Sequence, residues 1–301
     1  MILKDYQFEI LPQEDSLADG VVFGLSAPVA VNPEGFNTGD REWLTQDTNN
    51  ETRGNRLFGR DVPAASAWSW AAHVDQEEEH DALEELARIR RAWSAPRPSG
   101  WEPGEVTTLR YRIGGRIRRV YGRPRRFNGS LTNTMISGMI PVNMDFPLTD
   151  HLHYDDALSS TMLTWNGGDG DGGFVLPAVL PIITIPGSQT DGNIFVDGDA
   201  PTYPVIRIEG PIVNPSVVHD DWALKLDDTI HAGEYVEIDV RPWHLTVLKN
   251  GNASIAGRLG RRQWLSSVVL QPGYNAIAFR GSSTTGGASC SVSWRSAWTT
   301  I

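Results

Sequence analysis

One cysteine, three lysines and no long apolar run set the first limits on this 301-residue chain. With Cys290 alone, no intrachain disulfide can form and no cysteine-clustered metal site is available, which fits folding in a reducing compartment. No stretch of about 20 apolar residues exists, so no transmembrane helix is expected. The opening Met1-Ile-Leu-Lys-Asp-Tyr-Gln lacks the charged-then-apolar pattern of a secretory signal. The chain has no Gly-x-Ser-x-Gly, no His-Glu-x-x-His, no P-loop and no internal repeat. A formal net charge of −11 argues against a general nucleic-acid-binding surface.

What is present describes an ordinary globular protein, 40% hydrophobic and 21% charged, long enough for two domains or one large β domain. The charge is unevenly spread. Residues 1–105 hold 20 acids against 9 bases, whereas residues 106–126 hold eight arginines and no acid. Arginine makes up 23 of the 26 basic residues. Its planar, weakly hydrated guanidinium suits protein contacts better than lysine does, although codon usage accounts for the same excess without any function.

Along the chain, residues 6–11 and 21–25 read as short strands. Residues 32–60 are polar and glycine-rich, a long loop or β-excursion of the kind that often makes contacts. Residues 64–74 carry Trp68 and Trp70 on one face of an expected strand. The one strong helix is expected over 75–93: acids crowd its start, Arg88, Arg90 and Arg91 its end, and Leu83, Leu86, Ile89 and Trp93 form an apolar stripe. Two alternating runs around Gly114-Gly115 predict a hairpin. From residue 157 the pattern is almost purely β. Strands are expected at 159–165, 179–185, 203–209, 212–218, 222–226, 235–240, 245–248, 264–270, 276–280 and 289–294, the two central runs joined as a pair through Gly210-Pro211. Asn250-Gly251 supplies a type I′ turn, and 271–275 and 281–287 are further turns. About ten short strands with regular turns predict a β-sandwich of jelly-roll type.

Several residue groups have the chemistry of a site. His151, His153, Asp155 and Asp156 are ligand types at close spacing, but nothing else converges on them and a turn is expected. The run Gly167-Gly-Asp-Gly-Asp-Gly-Gly173 lacks the spacing of a calcium loop and reads as a hairpin loop. His219 with Asp220 and Asp221, or His231 with Glu234, fits no catalytic motif, and carboxylates are too many to single out a glycosidase pair. Of the eleven tryptophans, Trp222, Trp264 and Trp294 are expected in the core, while Trp243 and Trp298 are the candidates for sugar stacking at the surface. The arginine hairpin is read as an intersubunit surface: Arg110, Arg112, Arg116, Arg118 and Arg119 meet the acidic helix of a neighbour at Glu84 and Glu85, a heterologous contact able to repeat around a ring.

Several segments then look familiar together. They are Gly122-Arg-Pro-Arg-Arg-Phe127, Asp145-Phe-Pro with His153-Tyr-Asp-Asp156, and Gly198-Asp-Ala-Pro-Thr-Tyr-Pro-Val-Ile-Arg-Ile-Glu-Gly-Pro-Ile-Val-Asn-Pro215. Glu237-Ile-Asp-Val-Arg-Pro242, Lys249-Asn-Gly-Asn252 and Leu270-Gln-Pro-Gly-Tyr-Asn275 follow, before a terminal Val-Ser-Trp-Arg-Ser-Ala-Trp. In this the chain resembles the distal tail proteins, also called minor tail proteins, of long flexible-tailed bacteriophages, particularly those of actinobacteria. The likeness covers most of the chain and is weakest over 32–74.

The resemblance implies a mainly β fold with one helix. An N-terminal α+β belt-like domain (1–152) would be followed by a C-terminal galectin-like, jelly-roll β-sandwich (153–301). It implies a virion component at the tail tip, assembled in the host cytoplasm, without enzymatic activity, cofactor or membrane insertion. Its partners would be further copies of itself in a hexameric ring, single or stacked, the tail tube protein on one face and the tail-tip hub on the other, with DNA passing through unbound. The acidic total agrees with such a conduit. A carbohydrate-binding module on the sandwich and a glycan hydrolase are the alternatives.

Overall fold

The computed structural model describes residues 2–11, 20–39, 42–50, 52, 54–165, 191–282 and 287–301. Met1–Asp156 with Trp298–Ile301 form one unit and Ala157–Ala297 a second.

In chain order the first unit contains β1 (Gln7–Leu11), β2 (Val21–Gly24), β3 (Val29–Asn37), β4 (Trp43–Leu44), β5 (Thr48–Asn50), β6 (Asn55–Leu57), β7 (Val62–Pro63), β8 (Ala67–Asp75), helix α1 (Glu79–Ala92), β9 (Thr107–Ile113), β10 (Arg116–Gly122), β11 (Arg126–Gly129), β12 (Met139–Pro147) and β13 (His153–Asp155). One sheet runs β2-β1-β9-β10-β13 and another β11-β12-β8-β3. Their apolar faces share a single core with α1. Phe8, Leu109 and Tyr111 come from the first sheet, Trp68, Trp70 and Phe146 from the second, Ile89 from the helix and Trp93 from its C-terminal end. The alternation of β8 puts Trp68 and Trp70 inward together, each at most 2% exposed. Edge-to-face packing of Trp70 on Phe8, Phe23 and Trp93 gives this core an aromatic centre.

The helix is shorter than its periodicity suggests. Asp75 still pairs with Met139 and donates to the Pro28 carbonyl, so the chain stays in the sheet until its ladder ends. Acids occupy the first turn and arginines the last, as the dipole favours. Its inward face is Ala82, the half-buried Leu86, Ile89 and Trp93, spaced i, i+4, i+7, i+11, which leaves the expected Leu83 outside and exposed. The expected excursion is a nested β-ribbon, β5 pairing β6 inside the β4–β7 pair. The hairpin at Gly114-Gly115 forms as expected, both glycines at positive φ.

The second unit contains β14 (Ser159–Trp165), β15 (Asp191–Val196), β16 (Val205–Glu209), β17 (Ile212–His219), β18 (Ala223–Lys225), β19 (Thr229–Ile230), β20 (Tyr235–Asp239), β21 (Thr246–Lys249), β22 (Ala253–Ser254), β23 (Gly273–Ser282) and β24 (Ala288–Trp294). Two antiparallel sheets, β14-β24-β16-β20-β21-β22 and β15-β23-β17-β18 with β19 beside β17, enclose one apolar core. This is the expected sandwich. A final strand, β25 (Ala297–Trp298), adds to the first unit's sheet next to β13.

The strand pair at Gly210-Pro211 is corrected by the structure. β16 pairs with β20 and β24, β17 with β18, β19 and β23, so the chain changes sheets at this corner. Only glycine fits there, because a Cβ on Gly210 would lie 2.4 Å from the His231 carbonyl oxygen and 2.5 Å from that of Ile230. The strand expected at 264–270 is also absent. Leu265–Ser267 is a 3-10 turn in which the Ser267 amide and hydroxyl both donate to the Trp264 carbonyl, leaving Trp264 71% exposed. Trp222 and Trp294 are buried as expected. The strand β15 was hidden by the turn-like Asp191-Gly-Asn at its head. Asn250 and Gly251 both take positive φ, as the type I′ turn requires. The strand expected at 179–185, the 167–173 loop and most of the 281–287 turn lie outside the described residues.

Candidate functional site

The arginine hairpin is built around a row of charges that crosses three strands. The register places Glu9 of β1 beside Arg110 of β9, and Arg110 beside Arg119 of β10. All three side chains are buried, between 4% and 5% exposed. Arg110 donates through Nε and Nη2 to the two oxygens of Asp156, at 2.8 and 2.7 Å, and pairs with Glu9 through Nη1. Arg119 donates through Nη2 to the same carboxylate at 2.6 Å. The cluster therefore balances two guanidiniums with two carboxylates, the condition under which buried charges are tolerated. Burial alone would raise the Asp156 carboxyl, but hydrogen bonds from Arg110 and the charge of Arg119 hold it below the usual carboxylate range.

The opposite face of the hairpin carries Tyr111 and, beside it, Arg118. Arg118 is 2% exposed; it donates to the Thr300 carbonyl at 2.5 Å and lies 4.6 Å from the centre of the Trp298 ring. The Trp298 indole in turn donates to Asp155 at 3.0 Å. Tyr111 shares a 2.9 Å hydrogen bond with His153 Nδ1, and burial raises its hydroxyl pKa. The chain's last residues are thus fastened to the hairpin by a guanidinium, an aromatic ring and a carboxylate.

The arginines do not all project from one face of the hairpin. Arg110, Arg118 and Arg119 are committed within the chain. Arg112 is half-buried, donating to the Leu3 carbonyl at 2.9 Å and pairing with Asp5. Arg116 is exposed at the hairpin tip. On α1, Glu84 is exposed and pairs with His80 at 3.4 Å, whereas Glu85 is held in a two-pronged pair with Arg88. Of the seven residues read as an intersubunit surface, Glu84 and Arg116 keep exposed side chains.

The other candidates resolve into structural roles. His153, Asp155 and Asp156 belong to the networks just described, and among the described residues no group of three or more His, Cys, Asp or Glu is placed to hold a metal ion. His219 stacks on Trp222, accepts from the Asp221 amide at Nδ1 and reaches Asn275 through Nε2 at 3.1 Å. Glu234 accepts from the His231 backbone and pairs with Lys249, so His231 and Glu234 do not form a side-chain dyad. Trp243 is only 9% exposed, which leaves no open ring face for sugar stacking, and one side of Trp298 is covered by Arg118.

Sequence reasoning passed over one group, Asp239 with Arg241 and His244. Both side chains donate to the buried carboxylate, Arg241 Nη2 at 2.6 Å and His244 Nδ1 at 2.9 Å. Burial opposes its ionisation, yet they bring its pKa down to about 2. The spacing Asp-x-Arg-x-x-His was the available signal.

A hollow of about 420 Å³ in the first unit is lined by Ser66, Trp68, His151, His153 and Thr299 among others and by no carboxylate side chain. Another of about 290 Å³ on the second unit has one, Asp220. No helix among the described residues is long and apolar enough to cross a membrane.

No family model and no curated protein matches the sequence. The fold does have solved counterparts. One is SPP1 Dit (gp 19.1), described as a paradigm of the hub adsorption apparatus in Gram-positive infecting phages. It matches with a TM-score of 0.54 at 11% identity, over 89% of this chain and 93% of that one. Two more are chains of the phage P2 baseplate in its activated conformation, one structure with calcium and one with strontium. Each matches with a TM-score of 0.55 at 12% identity, over 95% of this chain and 97% of the other. In architecture, then, the chain has a Dit-like fold, predominantly β with a single helix among the described residues.

Proposed function

We propose that this protein is a structural component of a bacteriophage tail tip: a distal tail protein that forms a ring between the tail tube and the tail-tip hub and lets DNA pass during ejection. One observation carries the reading. The likeness to SPP1 Dit and to the phage P2 baseplate chains runs through nearly the full length of both partners, so it extends over both units and is not a match of one common sandwich. The sequence resemblance in residues 198–215 and 236–275 points to the same family independently. The role is a scaffold's and not a catalyst's, made in the host cytoplasm and ending in the virion.

The ring contact would use the exposed part of the charged surface, Glu84 on the helix of one copy and Arg116 on the hairpin tip of the next. The buried Arg110 and Arg119 would hold that hairpin rigid. The net charge of −11 supports a conduit that does not retain like-charged DNA. The test is the mass and shape of the purified protein. A closed ring with a central hole, hexameric by native mass, is expected; a strict monomer at assembly concentrations overturns the reading.

A further inference from the structure

We propose that the open face of the β15-β23-β17-β18 sheet binds a neutral saccharide, with Tyr274 and Phe195 as the stacking platform and Asn193 and Asp220 as the polar contacts. The two rings are the starting observation. Tyr274 is 82% exposed and Phe195 54%, yet they touch, with ring centres 5.0 Å apart and planes inclined at 62°. They are direct cross-strand partners, and the next pair on the same face is Asn193 with Ala276. There the hollow of about 290 Å³ begins, with Ala276, Ala278 and Val218 among its lining and Asp220 and His219 beside them. Its small side chains leave a depression next to two rings that cannot sink into it.

The platform is held firmly. Asn275, 1% exposed, accepts from the Gln271 amide and from His219, and donates to the carbonyls of Gln271 and Gly273. All four hydrogen-bonding positions of its amide group are filled, three of them within the turn that presents Tyr274. Preorganisation of this kind lowers the entropic cost of binding.

The chemistry selects the ligand. A pyranose has an apolar C–H face and a rim of hydroxyls, matching an aromatic surface flanked by an amide and a carboxylate. A wholly apolar protein surface would instead bury Asn193 and Asp220 without partners. No lysine or arginine lines the hollow and a carboxylate does, so phosphodiester or acidic sugars are disfavoured. Arg280 and Lys225 lie further along the face, on the strand positions paired with Ser216.

The experiment uses the full chain. An array of neutral and anionic glycans is followed by calorimetry with the methyl glycosides of the neutral hits. Roughly millimolar binding is expected, weakened about tenfold or more by Tyr274→Ala and by Asn193→Ala and unchanged by Trp264→Ala. Tyr274 and Asn193 are exposed, and an unaltered melting temperature confirms that the variants are folded. The proposal is overturned by the absence of binding to any neutral glycan, by binding restricted to anionic ones, or by binding that Tyr274→Ala leaves untouched. It is equally overturned if Tyr274→Ala changes the native mass instead, which would make the rings a protein contact.

Discussion

Arg110 grips Asp156 with two parallel hydrogen bonds, of 2.8 and 2.7 Å, and Arg119 binds the same carboxylate from the neighbouring strand. Removing that one acid leaves two buried guanidiniums facing Glu9 alone. Asp156→Ala should therefore destabilise the first unit by about 3–5 kcal/mol, read from urea unfolding. Because the Asp156 pKa is depressed in the folded state, its contribution is fully present above the ordinary carboxylate range and is lost as pH falls below that range, through the folded value. The variant and the parent should converge in stability only at pH values below the ordinary carboxylate range.

Asp150 behaves in the opposite sense. Burial raises its carboxyl to about 6, although Tyr154 donates to it at 2.6 Å and the Leu152 amide at 3.2 Å. A raised folded pKa gives stability that is complete below pH 4 and is lost as pH climbs through 6. Asp150→Asn, which keeps an acceptor for Tyr154, should gain about 1–2 kcal/mol over the parent at pH 8 and nothing at pH 4. Thermal melts across that range decide it; a gain independent of pH would point to a cause other than ionisation.

Cys290 lies in the sandwich core with no exposed surface, and burial pushes its thiol up to about 12. A thiolate reagent such as Ellman's should leave it unmodified in the native protein and titrate one thiol in denaturant. Labelling at the native rate of an exposed cysteine would contradict this placement.

Charge reversal tests the proposed ring contact. Glu84→Lys should shift native mass toward smaller species, as should Arg116→Glu. The two changes in one chain should restore assembly if these residues face each other. Reversal of Glu85 should act mainly through loss of its pair with Arg88, costing a few tenths of a kcal/mol in helix stability.

Periodicity made much of this fold legible. Trp68 and Trp70 on one strand, the Gly-Gly hairpin and the Asn-Gly turn are local patterns, and the folded chain keeps them. The failures share a different cause. Whether Arg110 points to solvent or into a charge cluster depends on Glu9 and Asp156, which are 101 and 46 residues away. No spacing rule reports such partners. Trp243 and Trp264 exchanged their expected environments for a similar reason: burial is decided by what crosses over a side chain, and the bonds from Ser267 to the Trp264 carbonyl close a 3-10 turn where a strand was expected. Tyr274 and Phe195 gave no signal because β15 was unrecognised, and the pair exists only through its register with β23.

The change of sheets at Gly210-Pro211 also has a temporal consequence. β16 finds its neighbours in β20 and in β24, which ends at Trp294, and among the described residues β14 pairs with β24 alone. The first strand of the sandwich is therefore closed by a strand synthesised well over 100 residues after it. During translation Leu163, Ile206 and Ile208 must stay in the presence of water until β24 leaves the ribosome. Loop closure over such distances is slow, and the growing chain carries unpaired strand edges throughout. Dependence on chaperones, more than marginal equilibrium stability, is then the expected weak point when this protein is produced alone.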